Sequence, residues 1–259
     1  MYYTDSGNKC QSVLRDFRFF SFGSSCCSKE GLVTDTLIYA ANVRELADPA
    51  VFERRFREMP SYRQEKILRL RHEKARRQSL GAGILLRLAC NDLGIGGADA
   101  DTVCGENGKP LFRDCPQISF SLSHSGDYAL CAVSDRPVGC DIEEVRPLSP
   151  AIGERFFRPE EWALIREQPS QEERDALFFR FWVLKESYLK CTGLGFSLPM
   201  NAFSIEFRVD RIAVNRGDAD ADYRFFLCSR PEGYACACCI RSAEPCRTPA
   251  ILWRELGGA

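Results

Sequence analysis

Histidine is scarce in this chain: His72 and His124 are the only two among 259 residues. A structural zinc site needs four close sulfur or imidazole ligands, and the C-x-x-C of Cys236 and Cys239 has no second such pair to complete one. A zinc centre is therefore set aside. Excess charge of either sign is missing as well. The formal net charge is −1, which leaves no overall field to recruit nucleic acid or an anionic membrane. No apolar run approaches the roughly 20 residues that span a bilayer. The N-terminal stretch sets Arg15 and Arg18 beside Phe17, Phe19 and Phe20, but it lacks a continuous apolar core and a small-residue cleavage site, so no secretory leader is expected. These absences point to a cytoplasmic protein that engages neither nucleic acid nor membrane.

What the chain has in excess is cysteine, fourteen in all. Cys90, Cys131, Cys140, Cys236 and Cys238 sit in apolar or alternating runs, where a reduced thiol behaves as a small core hydrophobe. With 45% hydrophobic and 27% charged residues the composition is that of a folded chain rather than a disordered one.

Residues 1–36 carry little regular pattern, with Gly-Ser-Ser-Cys-Cys-Ser at 23–28, and read as a poorly ordered extension. The run Leu37–Ala41 predicts a first strand. From Ala50 to about Cys90 the pattern is helical, interrupted at Met59-Pro60. Ile118, Phe120 and Leu122 then alternate with polar residues as in a half-buried strand; turns at 124–127 and 135–137 predict strands over 128–133 and 138–143. Helices return at 150–157, 159–167 and 172–191, and alternation resumes over 203–207, 223–228 and 234–240. Helices followed by an antiparallel sheet thus occur twice, which divides the chain into an N-terminal half over 37–137 and a C-terminal half over 138–259.

Asp141 and Glu143 lie two apart on a predicted strand, so both side chains leave from one face. Paired carboxylates suit a hard cation such as magnesium; the plainer reading is a pair of solvent-facing acids. On the long helix, Trp182, Glu186 and Lys190 recur every four residues along one face. Glu186 and Lys190 form either a surface ion pair or a third metal carboxylate with a phosphate-facing ammonium. Ser123, His124, Ser125 and Gly126 make a turn of hydroxyls and backbone N–H groups of the kind that cradles anions, with a solvated turn histidine as the alternative. Lys109 stands on a constrained Gly-Lys-Pro turn. The stretch 54–77 is dense in basic residues, and its default reading is a solvated helix face.

Gly108-Lys109-Pro110, Ser121–Gly126, Val138–Glu143, Phe156–Glu161 and Phe181–Lys190 with Gly193-Leu194-Gly195, in this order, resemble the 4′-phosphopantetheinyl transferases of the surfactin-synthetase type. The resemblance runs from about residue 37 to 241 and is sharpest over 105–196. It implies an α+β, pseudo-dimeric fold of two similar helix-plus-antiparallel-sheet halves with coenzyme A in the cleft between them. It implies transfer of the phosphopantetheine arm from coenzyme A to a serine of an apo acyl or peptidyl carrier protein, releasing adenosine 3′,5′-bisphosphate. On this sequence Asp141, Glu143 and Glu186 would hold magnesium. Lys190, His124, Ser123 and Lys109 would grip phosphates, and Arg63, Lys66 and Arg77 would face the 3′-phosphate and adenine. Glu186 is the candidate base for the serine, with a metal-bound water as the alternative. Internal duplication suggests a monomer. Two other readings fit acidic metal sites beside phosphates: a magnesium phosphohydrolase, and a carrier-binding module without turnover.

Overall fold

A computed structural model describes residues 35–95, 102–105, 107–148, 150–216 and 222–258. Apart from Asp35 and Thr36, the stretch read as an N-terminal extension lies outside the described residues.

The first half begins with β1 (Leu37–Asn42) and three helices, α1 (Pro49–Arg57), α2 (Ser61–Leu68) and α3 (Glu73–Leu93). Asp48 caps α1 by accepting from the N–H groups of Ala50 and Val51, and Pro49 fits the first turn, where no N–H is needed. The helical stretch expected from 50 to 90 is thus broken twice, at 58–60 and again at 69–72. The second break carries no proline or glycine to mark it in the sequence. Two short strands follow, β2 (Thr102–Cys104) and β3 (Pro110–Phe112), then β4 (Ser119–Ser125) and β5 (Tyr128–Ser134).

The second half repeats that order. β6 (Val138–Glu144) leads into α4 (Pro150–Phe156), α5 (Pro159–Arg166) and α6 (Gln171–Thr192). A hairpin of β7 (Ser204–Phe207) and β8 (Ile212–Asn215) precedes β9 (Tyr223–Leu227) and β10 (Tyr234–Arg241). Ser170 and Glu173 form a reciprocal capping box at the start of α6, and Gly193 ends it at φ +72.

The sheets are equivalent too. β1, β5 and β4 are antiparallel neighbours in that order, as are β6, β10 and β9. A last strand, β11 (Ala250–Trp253), crosses back and pairs parallel with β1, so the tail of the second half belongs to the first sheet.

Side-chain alternation stacks these parts in four layers. Tyr39, Ala41, Ala129, Cys131 and Val133 pack under α3 with Leu80, Leu85 and Ala89. Ala235, Ala237 and Cys239 pack under α6 with Phe181, Leu184 and Tyr188. Between the sheets, Ile38, Ala40, Leu130 and Ala132 meet Val138, Cys140, Ile142, Cys236, Cys238 and Ile240. Cys236 and Cys239 therefore face opposite sides of β10, which no single metal could bridge. All eleven cysteines among the described residues are free thiols.

β4 was expected to be half-buried, with its polar side in water. Its serine side instead faces the second sheet: Ser121 and Ser123 are buried, as is Phe120 on the other face. The reason is β6, an edge strand whose outward N–H groups need acceptors. The serine hydroxyls supply them.

Candidate functional site

β6 and α6 run antiparallel at close range, and Gly139 makes this possible: a Cβ there would collide with the Ser187 carbonyl and the Cys191 amide. The approach sets Asp141 against Lys190, one residue short of Cys191. Asp141 is buried, with 3% of its surface exposed. Its Oδ1 accepts from the Ser123 hydroxyl at 2.7 Å and from Lys190 Nζ at 2.7 Å. Its Oδ2 is buried and has no partner. Lys190 also donates to Ser123 Oγ at 3.1 Å. Burial works against its charge, but Asp141, with Cys140 and Glu186, more than offsets this and raises its pKa.

Glu143 accepts from the Ser125 hydroxyl at 2.7 Å. Burial, then Asp141, pushes its carboxyl above the usual range, with Ser125 opposing. Glu186 is pushed up to about 7 by burial and by Asp141 and Glu143, while Lys190 pulls the other way. Three carboxylates thus gather about one ammonium. Among the described residues they do not form a closed cage of three or more metal-ligating side chains. Magnesium does not require one: it usually takes one or two protein carboxylates and completes its shell with water and substrate phosphate. An orphaned carboxylate oxygen beside two acids with raised pKa values fits such an ion.

The cationic side of the site comes from the first half. His124 stands at the end of β4 with its side chain exposed. Desolvation, then Lys190, with smaller pushes from Lys66 and Arg63, lowers its pKa to about 4. Lys66 is held below the ordinary lysine range by desolvation and by Arg63. Arg63 is buried, its stem lying where a Cβ on Gly83 of α3 would sit, 2.6 Å from Arg63 Cδ. Gly83 in a helix interior costs about 1 kcal/mol relative to alanine, and here it makes room for this arginine. Arg77 precedes Gln78, whose amide donates to the Gly126 carbonyl at 2.9 Å. Arg63 and Lys66, which feel each other, are not ion-paired to an acid among the described residues. Cations that share a site without a counter-ion favour an anion there.

Lys109 stands apart from this group. Its ammonium donates to the Val138 carbonyl at 3.0 Å and the Cys191 carbonyl at 3.2 Å, at the start of β6 and the C-terminal end of α6. A lysine capping helix carbonyls is favourable in its own right. In this position the ammonium ties the β3 turn to both carboxylate-bearing elements.

Sequence reasoning missed several residues. Tyr234 of β10 accepts from the Asp127 amide at 3.0 Å and fills the space that a Cβ on Gly126 would occupy, fixing the turn that carries His124. Lys185, quoted only as part of a motif, is fully buried against Glu161 at 2.8 Å and donates to the Met200 and Phe203 carbonyls. Lys185 is legible in the sequence only as a charge inside an aromatic run.

A family model described as the 4′-phosphopantetheinyl transferase superfamily matches residues 137–239. A 4′-phosphopantetheinyl transferase of Bacillus pumilus is 41% identical over 150 residues, covering 58% of this chain and 64% of the relative. Another, from Bacillus subtilis, is 32% identical over 180 residues, covering 64% of this chain and 80% of the relative. A holo-[acyl-carrier-protein] synthase of Thermotoga maritima aligns in structure with a TM-score of 0.35 at 18% identity over 42% of this chain and 64% of that one, a likeness too weak to build on.

Proposed function

The chain belongs to the 4′-phosphopantetheinyl transferase superfamily, and on that footing we propose that it moves the phosphopantetheine arm of coenzyme A to a serine of an apo carrier protein at the Asp141, Glu143, Glu186 and Lys190 centre. The observation that carries this reading is the buried, unpartnered Asp141 Oδ2 beside two carboxylates of raised pKa and one ammonium.

Asp141, Glu143 and Glu186 would hold magnesium, which when bound supplies positive charge to the pyrophosphate of coenzyme A. The chain's own residues do the rest. Lys190 and Ser123 would face the phosphates, and Arg63, Lys66 and Arg77 would offer positive charge to the 3′-phosphate, with His124, a neutral ring in the free protein, beside them. The carrier serine oxygen bonds to the phosphorus bearing the pantetheine arm as the bond to the adenylate side breaks, and adenosine 3′,5′-bisphosphate leaves. Glu186 would be the base for the serine proton, with a metal-bound water as the alternative.

The carboxylates of the second half and the hydroxyls that hold them from the first half belong to one chain, which supports action as a monomer. No helix among the described residues is long and apolar enough to cross a membrane. With the free thiols, this supports placement in the reducing cytoplasm.

Incubating the protein with coenzyme A, magnesium and an apo carrier, then weighing the carrier, tests the reading. A gain in mass equal to the phosphopantetheine arm, lost on addition of a chelator, is expected. Hydrolysis of coenzyme A without a carrier adduct would favour a phosphohydrolase instead.

A further inference from the structure

Every second residue of β4 is serine, and all four hydroxyls meet β6 in one repeating relation. Ser119 Oγ accepts from the Val138 amide at 3.2 Å, Ser121 Oγ from Cys140 at 3.0 Å, Ser123 Oγ from Ile142 at 3.3 Å and Ser125 Oγ from Glu144 at 3.1 Å. The offset is nineteen residues at each rung, so β4 lies in register along the edge of β6 through its side chains.

A serine hydroxyl has one proton to give. Where the ladder reaches an acid, that proton goes to the residue just before the amide it accepts from: Ser123 donates to Asp141 and Ser125 to Glu143, both at 2.7 Å. The first two rungs have no such acid, because positions 137 and 139 are proline and glycine. One geometric unit therefore docks the halves at two rungs and aims a carboxylate at the other two.

We propose that Ser125 is a positioning residue for the metal site: it holds Glu143 from the opposite half of the molecule, so the donor set is assembled across the junction of the two sheets. The inference rests on the assignment of Glu143 as a metal ligand. An amide on one side and a carboxylate on the other leave the Ser125 hydroxyl a single orientation. Charge-assisted hydrogen bonds of this length are among the stronger ones available to a serine. Outer partners of metal ligands typically govern affinity by about 10- to 100-fold.

The test titrates manganese(II) into the protein with saturating coenzyme A and follows the loss of the free-ion EPR signal. Ser125→Ala is expected to weaken manganese binding about tenfold or more. Ser119→Ala removes a rung of the same ladder with no carboxylate attached; it is expected to lower the melting temperature while leaving manganese affinity within twofold of wild type. If Ser125 acts through Glu143, adding Ser125→Ala to Glu143→Gln should cost little further affinity. Wild-type affinity in Ser125→Ala, equal losses in the Ser119 and Ser125 variants, or full additivity with Glu143→Gln would overturn the proposal. A wild-type protein that takes up no manganese would instead overturn the metal site itself, and this inference with it.

Discussion

Lys190 Nζ lies 2.7 Å from Asp141 Oδ1, and this ion pair joins the centre of β6 to the last turn of α6. The lysine occupies the side of the carboxylate that faces Ser123, while Oδ2 is left without a partner. The ammonium thus neutralises a buried acid that a divalent cation could also neutralise. Lys190→Ala should lower the stability of the metal-free protein by on the order of 3 kcal/mol, because it strands a buried charge. Magnesium should restore more melting temperature to this variant than to wild type, while coenzyme A affinity falls. Thermal melts with and without magnesium, together with calorimetric titration of coenzyme A, check both halves of the statement.

Glu186→Gln keeps the shape of the side chain and removes its basicity. Turnover should fall by roughly 10²- to 10⁴-fold, the range for loss of a general base, with a much smaller change in coenzyme A binding. Steady-state rates on a saturating apo carrier, set beside equilibrium coenzyme A affinity, separate the two. A fall in affinity as large as the fall in rate would reduce Glu186 to a binding group.

His124 offers a direct view of the cationic wall. Its folded-state pKa of about 4 lies below the ordinary 6.5, so the neutral ring is the favoured form. The resulting contribution to stability is complete above about pH 6.5 and is lost as pH falls through about 4. NMR titration of the His124 ring should show the low midpoint in free protein. Saturating adenosine 3′,5′-bisphosphate should move it upward, since an anion favours the imidazolium. No movement would detach His124 from the phosphate site.

Much of this centre could be read from the chain because its geometry is periodic. Asp141 and Glu143 follow the two-residue repeat of a strand, and Glu186 and Lys190 follow the four-residue spacing of a helix face, so each pair was legible before any fold. Contacts between the pairs were not. Nothing in Ser119–Ser125 distinguishes a solvent-facing alternation from one buried against a second sheet. The difference lies in β6 being an edge strand, a property of topology rather than of sequence. Lys109 is opaque for a similar reason: a lysine on a turn looks the same in sequence whether its ammonium meets a ligand or the end of a helix remote in the chain. β2, β3, β8 and β11 have three or four residues each, and such short strands leave little alternation to read.

The Lys185–Glu161 pair is a second buried ion pair with a different task. Glu161 accepts from the Arg158 and Ile205 amides, and Lys185 donates to the Met200 and Phe203 carbonyls, so the pair pins α5, α6 and the 200–205 segment together. Lys185→Met should destabilise the protein by about 3–5 kcal/mol by leaving Glu161 buried and uncompensated. Adding Glu161→Gln should recover part of that loss, which urea denaturation of the two variants would measure. Strict additivity of two destabilising effects would contradict the pairing.

The tail locks the first half from outside. β11 covers the free edge of β1, and Leu256 is fully buried in the core under α3. Glu45 accepts from the Leu256 and Gly257 amides at 2.7 and 2.6 Å, and Arg55 Nε donates to the Leu256 carbonyl at 2.8 Å. None of these residues touches the carboxylate centre, so the tail should matter for stability and not for chemistry. Leu256→Ala should cost about 2–4 kcal/mol, the range for deleting a buried leucine side chain, with unchanged manganese and coenzyme A affinity in the folded fraction. Removing residues 248–259 should do more, because it bares the edge of β1 to pairing with other chains. Light scattering on warming should show the truncated protein aggregating well below the melting temperature of Leu256→Ala. A truncated protein that melts like wild type would mean that the β1–β11 pairing contributes nothing to holding the first sheet.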